Sequence, residues 1–359
     1  MNYKVLAYEQ IDRTAWTELV QTCATGTWFQ TPEAYLFFAS MPELFRPFVM
    51  AISKETPLSE AQHSINPPLQ TLRAVCCGYV TKERSALKQF FTRRAIIIGG
   101  PALADDATDE EVEALMTAVK NLSFSHSLIH SFIHSPIYIE TRNFNDYSRW
   151  KNAFEKSGFS YVPHLNFHVH TNQPWDDIET NIGKHRKKYI RLSFRGGATI
   201  EENPTIDQVR TYYDILLELY RTKVKMPLQP WSFFEKLYNL NSCKYLLVMY
   251  EGQIVGGSIC MLLPGRGVYE WYACGKDGEF KNIHPSSVTK YAGMKYACDN
   301  GYAIFDMMGA GKPDEEYGVR DFKAEFGGEL VEHGRFLCVT KPLLYKLGTL
   351  GVKILKKLK

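Results

Sequence analysis

Strand-like and helix-like patterns alternate along this chain in two successive rounds, and that alternation limits it to layered sheets with helices packed on them. In the first round, Tyr3–Tyr8 alternates as a half-buried strand does. Asp12–Thr22 follows with Trp16, Leu19 and Val20 on one helical face. Thr31-Pro32-Glu33 starts a helix, with Thr as N-cap and Pro pre-set for the first turn. Phe48–Ser53 and Leu72–Thr81 read as paired strands around a proline-bearing loop, Lys54–Gln70. Further strands are expected at Ala95–Ile98, Leu128–His134 and Tyr161–His170, and helices at Glu110–Leu122 and Tyr147–Lys156.

The second round begins with helices over Trp175–Asn181 and Lys184–Arg195, then a capping box, Thr205-x-x-Gln208, that opens another. A helix over Trp231–Leu240 precedes strands at Lys244–Tyr250, Ile254–Leu262 and Gly267–Cys274. A helix at Ser286–Asn300, strands at Ala303–Met307 and Glu329–Thr340 and a helix at Leu343–Leu358 complete the pattern. The expectation is an α/β chain with α+β mixed sheets, and 359 residues suit about two domains.

Composition removes several classes. Hydrophobic residues at 45% and charged residues at 23% exclude a disordered or collagen-like chain. A net charge of +3 is too balanced to imply nucleic-acid binding by itself, although the basic surplus lies in the second half. No apolar run reaches the roughly 18–20 residues of a membrane span, and the first residues lack the apolar core of a signal peptide. The 8 cysteines show no CxxC spacing, which favours buried, reduced thiols in a cytoplasmic protein and neither metal nor disulfides.

Several motifs offer chemistry. Lys184, Lys188, Arg191 and Arg195 fall on one stripe of a helix, fit either to hold an anion such as phosphate or simply to face water. His168 and His170 share a strand face without a nameable third ligand, so a polar face is favoured over a metal site. His126, His130 and His134 are too widely spaced on a strand to chelate. Gly309-Ala310-Gly311-Lys312 continues into Pro313, where a nucleotide-binding loop needs Ser or Thr, which excludes an NTPase. Gly256-Gly257-Ser258 lies within a strand and is no nucleophile elbow. Between Phe305 and Gly328 a strand enters a long polar loop with Lys312, Asp314, Glu315, Glu316, Tyr317, Arg320, Asp321 and Lys323. That loop reads either as an active-site wall or as a solvated connection.

Taken in order, Trp28-Phe29-Gln30-Thr31-Pro32-Glu33, Gly99-Gly100-Pro101, Lys184–Arg195, Gly256-Gly257-Ser258 and Asp306-x-x-Gly309 through Phe322-Lys323-x-x-Phe326-Gly327-Gly328 resemble the FemABX family of peptidyl (aminoacyl) transferases. The resemblance runs over roughly residues 20–345, and its last block is the most specific. It implies two tandem GNAT-like domains around a central cleft, 1–172 and 173–340, with the helix 341–359 packing back on the first. It implies transfer of an aminoacyl group from aminoacyl-tRNA, a co-substrate, to an amine of a UDP- or lipid-linked muropeptide, with no cofactor. It further implies that Lys184, Lys188, Arg191, Arg195, Arg320 and Tyr317 line the substrate site, while Lys323 supplies positive charge. Asp306 is either a proton acceptor or a loop anchor. Two features depart from the family pattern: no long heptad hairpin occurs within 176–340, and Trp28–Phe45 contains no Lys or Arg. Alternatives are a GNAT-like N-acyltransferase using acyl-CoA or an acyl carrier on an amino sugar, and a non-catalytic binding protein for an envelope intermediate. Phe280–Thr289 lacks the glycine-rich loop of an acetyl-CoA enzyme. The expected location is the cytoplasm, with the lysine-rich helix 341–359 offering contact to the inner face of the membrane.

Overall fold

A computed structural model describes residues 3–54, 70–83, 85–122 and 135–357. The chain divides into two compact units, Met1–Pro163 with His333–Lys359, and His164–Glu332. The first holds β1 (Tyr3–Ala7), β2 (Phe45–Lys54), β3 (Leu72–Thr81), β4 (Arg94–Gly99), β5 (Ala102–Leu103), β6 (Tyr138–Asn143) and β7 (Ser160–Val162). The second holds β8 (Asn166–His170), β9 (Thr199–Glu201), β10 (Cys243–Tyr250), β11 (Gln253–Leu263), β12 (Gly267–Gly275), β13 (Ile304–Gly309) and β14 (Glu329–Val331). A last strand, β15 (Arg335–Val339), belongs again to the first unit.

The two sheets match position by position. Their orders are β1-β2-β3-β4-β6-β15-β7, with β5 on β3, and β9-β10-β11-β12-β13-β8-β14. Each has an antiparallel meander, β2-β3-β4 or β10-β11-β12, that continues through a helix into a parallel strand, β6 or β13. The crossover helices are Asp109–Lys120 and Pro285–Asp299. Beyond the parallel strand each sheet takes a strand remote in sequence: β15, which follows the whole second unit, lies between β6 and β7, and β8, the first strand of its own unit, lies between β13 and β14, so the chain exchanges sheets at both places.

This exchange corrects three expectations. Tyr161–His170 is two strands, because Pro163 lacks the N–H that a ladder needs, and the chain passes there from one unit to the other. Glu329–Thr340 is likewise two strands in different sheets, separated by Glu332–Gly334. Gly334 has φ 64°, and a Cβ on it would lie 2.3 Å from the Tyr161 ring, so only glycine fits this turn. Consequently the boundaries fall at 163/164 and 332/333, earlier than the expected 172/173 and 340/341.

Local signals account for much of the rest. Asp12, Thr31, Thr108 and Thr205 each accept the backbone N–H three residues on and so start their helices. Strand β6 escaped the sequence pattern because two of its three inward residues are polar: Thr141 accepts the Phe336 N–H and Asn143 donates to the His333 carbonyl. The helices Ala86–Thr92 and Gly318–Ala324 were also not expected. The expected strand Leu128–His134, the three histidines at 126, 130 and 134, and nearly all of the loop Lys54–Gln70 lie outside the described residues. The first core gathers Ile97, Leu115, Phe154 and Phe336, the last two stacked with ring centres 4.0 Å apart. The second gathers Leu246, Met294, Phe305 and Phe326.

Gly100→Ala tests this packing. Gly100 has φ 78°, and an added Cβ would sit 2.5 Å from the hydroxyl of buried Tyr147. That hydroxyl donates to the carbonyls of Gly99 or Pro101, at 3.1 and 2.7 Å. The variant should lose about 2–4 kcal/mol in urea denaturation, from backbone strain and overpacking together.

Candidate active site

Strands β12 and β13 run parallel but pair only at Gly267–Tyr269 against Ile304–Asp306. Beyond Tyr269 and Asp306 the ladder stops, so Glu270–Tyr272 and Met307–Gly309 form the arms of a fork in the sheet. Both arms are irregular. The β11–β12 register slips at Ile259/Cys260 and leaves Trp271 as an extra residue. The β13–β8 register slips between Asp306 and Gly309, where Met308 adopts φ 59°. A non-glycine residue keeps such a conformation only where its surroundings impose it.

Two side chains impose it. Asp306 Oδ1 accepts the Met308 N–H at 2.6 Å. Lys323, on the helix Gly318–Ala324, donates to the carbonyl oxygens of Met307, Met308 and Gly309 at 2.6, 3.3 and 2.8 Å. An ammonium has three N–H donors, so these contacts engage them all. Burial brings the Lys323 ammonium down to about 8, with the Asp306 carboxylate opposing the shift, and it stays mainly charged at neutral pH. His168, on β8, holds Nε2 3.4 Å from Asp306 Oδ2. Burial acts to lower the imidazole pKa, yet the carboxylates of Asp306 and Glu329 raise it overall.

A second buried pair stands on the other arm. Glu270 of β12 meets Lys290 of the helix Pro285–Asp299 in a direct ion pair, and both are nearly sealed from water. Burial, reinforced by the positive charge of Lys323, pushes the Lys290 ammonium well below its ordinary range. Beside this pair Trp271 and Tyr272 continue into an aromatic cluster. The Trp271 ring meets Phe233 at 5.4 Å, and Tyr272 meets Phe234 at 5.1 Å and Tyr220 at 6.3 Å.

The expected site residues separate into two groups. Asp306 and Lys323 come together at the β13 arm. Arg320 donates to the carbonyls of Lys312, at 2.6 Å, and Glu315, and so braces the turn that leads into the Lys323 helix. Tyr317 packs over Gly311 in the same turn. By contrast, Lys184, Lys188, Arg191 and Arg195 form an exposed stripe, with Arg191 3.5 Å from Glu179. The cation of that helix that faces the fork's supports is Arg186. It pairs with Glu325 at 2.9 Å, lies 4.5 Å over the Phe322 ring and donates to Ser287 Oγ at 3.4 Å.

Sequence reasoning missed Glu270, Lys290 and Arg186. The signal for the first two was present: each is a lone charge within an otherwise apolar strand or helix face. A cavity of about 310 Å³, lined by His168, His170, Asn181, Gly327, Gly328 and Glu329, adjoins the Asp306 bulge through His168. Among the described residues no three His, Cys, Asp or Glu side chains cluster as a metal site requires.

Residues 251–353, which hold the whole fork and the Lys323 helix, match the model of the FemAB family. No curated relative matches the sequence. Among solved structures, the crystal structure of FemX superposes with a TM-score of 0.68 at 14% identity, covering 96% of this chain and 99% of that one. The C-terminal domain (DUF2156) of a putative lysylphosphatidylglycerol synthetase from Agrobacterium fabrum gives 0.55 at 10% identity, covering 93% and 94%. A tandem GNAT protein from the clavulanic acid biosynthesis pathway gives 0.54 at 8% identity, covering 94% and 98%. These findings bear out the resemblance read from the sequence and the tandem GNAT-like fold.

Proposed function

We propose that this FemABX-like chain of two GNAT-like units is an aminoacyl transferase acting on a cell-envelope precursor, with aminoacyl-tRNA as donor and an amine of a nucleotide- or lipid-linked muropeptide as acceptor. The family match and the fold support an acyltransferase. The observation that carries the reading is the fork between β12 and β13, with its strained arm held by Asp306 and Lys323 inside the family-matched segment.

The chemistry asks little of side chains. The acceptor amine attacks the ester carbonyl, a C–N bond forms, the ester C–O bond breaks, and the leaving ribose hydroxyl carries away the proton. The protein must position both partners and stabilise the oxyanion. Lys323 supplies positive charge at the fork and fixes its backbone. Asp306 acts as the anchor that holds Met308 in place, since one of its oxygens is committed to the Met308 N–H.

The starts of the crossover helices count against acyl-CoA as donor. A pyrophosphate is held by unengaged N–H groups at a helix start. Here Pro285 has no N–H, the Ser286 N–H goes to Asp277, and those of Ser287 and Val288 go to the His284 carbonyl. In the first unit the corresponding turn bears Asp109, Glu110 and Glu111, which repel an anion.

We assign the stripe Lys184, Lys188, Arg191 and Arg195 to the phosphates of the substrates. Because Arg191 is 64% exposed, Arg191→Ala should raise one substrate's KM by about fivefold, near 1 kcal/mol, and less at high salt. Unchanged KM values for both substrates would return the stripe to plain solvent exposure. A label-transfer screen tests the reaction itself. Label moving from charged tRNA to a muropeptide supports the reading, label moving only from acyl-CoA replaces the donor, and binding without turnover removes the enzyme.

A further inference from the structure

We propose that the helix Pro342–Lys357 is a docking surface for an anionic lipid bilayer, lying in the plane of the interface. One side of this 16-residue helix is tied to the first unit. Tyr345 packs on Tyr138 with ring centres 5.4 Å apart, Gly348 faces the Phe91 carbonyl, and Lys341 donates to the Ser135 carbonyl at 3.0 Å. Over residues 343–350 the opposite side is apolar and bare. Leu343, Leu347 and Leu350 are 79%, 58% and 56% exposed, and their i, i+4, i+7 spacing puts them on one stripe. Phe91, on the neighbouring helix Ala86–Thr92, adds a further exposed ring. Three adjacent leucines left to water on one stripe need a partner.

Charge identifies that partner. Residues 341–359 hold six lysines, at 341, 346, 353, 356, 357 and 359, and no acidic residue. A second copy of the chain would set lysines against lysines, which opposes self-association. An anionic bilayer instead accepts the leucines into its apolar boundary and the ammonium groups among its phosphates. The helix spans only about 24 Å and is too basic to cross the bilayer, so it lies along it. This assignment does not depend on which acyl donor the fork uses.

Flotation of the full-length protein with vesicles tests it. Vesicles rich in phosphatidylglycerol should carry the protein upward, and pure phosphatidylcholine vesicles should not. The bound fraction should fall at least about tenfold when Leu343, Leu347 and Leu350 are changed to Ser, and again when Lys346, Lys353, Lys356 and Lys357 are changed to Gln. The lysine variant leaves the leucines intact, so it reads the charge even if the leucine variant unfolds. No flotation with anionic vesicles, equal flotation with neutral ones, or a dimer in sedimentation that the leucine changes abolish would overturn the proposal.

Discussion

Lys290→Met is expected to destabilise the protein by about 3–5 kcal/mol, the largest stability effect in the second unit. The carboxylate of Glu270 is 4% exposed, and its direct ionic partner is Lys290. Removing the ammonium leaves a carboxyl group deep in the sheet with neither water nor a counter-charge to solvate it. Lys290 itself is held at a cost, because burial and the nearby Lys323 both press against its charged form. Replacing both partners should therefore hurt less than replacing one. Glu270→Gln combined with Lys290→Met should recover at least about half of the loss in urea denaturation. If the double variant loses the sum of the two single losses, the residues do not act as a pair.

Lys323→Met should lower kcat at least about tenfold, near 1.4 kcal/mol, with KM for both substrates little changed. The variant keeps most of the side-chain volume and removes the charge and all three donors to the Met307–Gly309 carbonyls. Stability will fall as well, so a pH profile separates chemistry from folding. The Lys323 ammonium titrates at about 8, lowered by burial. Its charged form predominates below that value, so wild-type kcat should decline as pH rises through about 8. Lys323→Met should lack this alkaline limb while keeping its low, constant rate. A folded variant with wild-type kcat would remove Lys323 from the mechanism.

The elements legible in the sequence were those with strong local signals. Helices opened by Asp12, Thr31 and Thr205 appear where their caps place them, and the β10-β11-β12 meander follows its apolar runs. What failed was non-local. Nothing in Tyr161–His170 or Glu329–Thr340 announces that half of each run pairs in a different sheet; Pro163 and Gly334 mark the breaks only once the pairing is known. At the site, Asp306 and Lys323 both stand in the most specific block of the sequence, but nothing in their spacing says that the helix Gly318–Ala324 brings Lys323 onto the carbonyls beside Asp306. The basic stripe was correctly placed on a helix, but the cation that meets the Phe322–Phe326 segment is Arg186, which helical periodicity places off that stripe. Glu270 and Lys290 come from separate elements, and only the packing of helix Pro285–Asp299 on β12 makes them a pair.

Transfer of an aminoacyl group to an envelope precursor adds mass to the acceptor. The protein is incubated with nucleotide- and lipid-linked muropeptides and a charged tRNA mixture, and each acceptor is weighed by mass spectrometry. The acceptor should gain one aminoacyl residue, joined through an amide that survives mild base, and should gain nothing once the tRNA has been deacylated. A muropeptide left unchanged by charged tRNA but acylated from acyl-CoA would contradict this transfer.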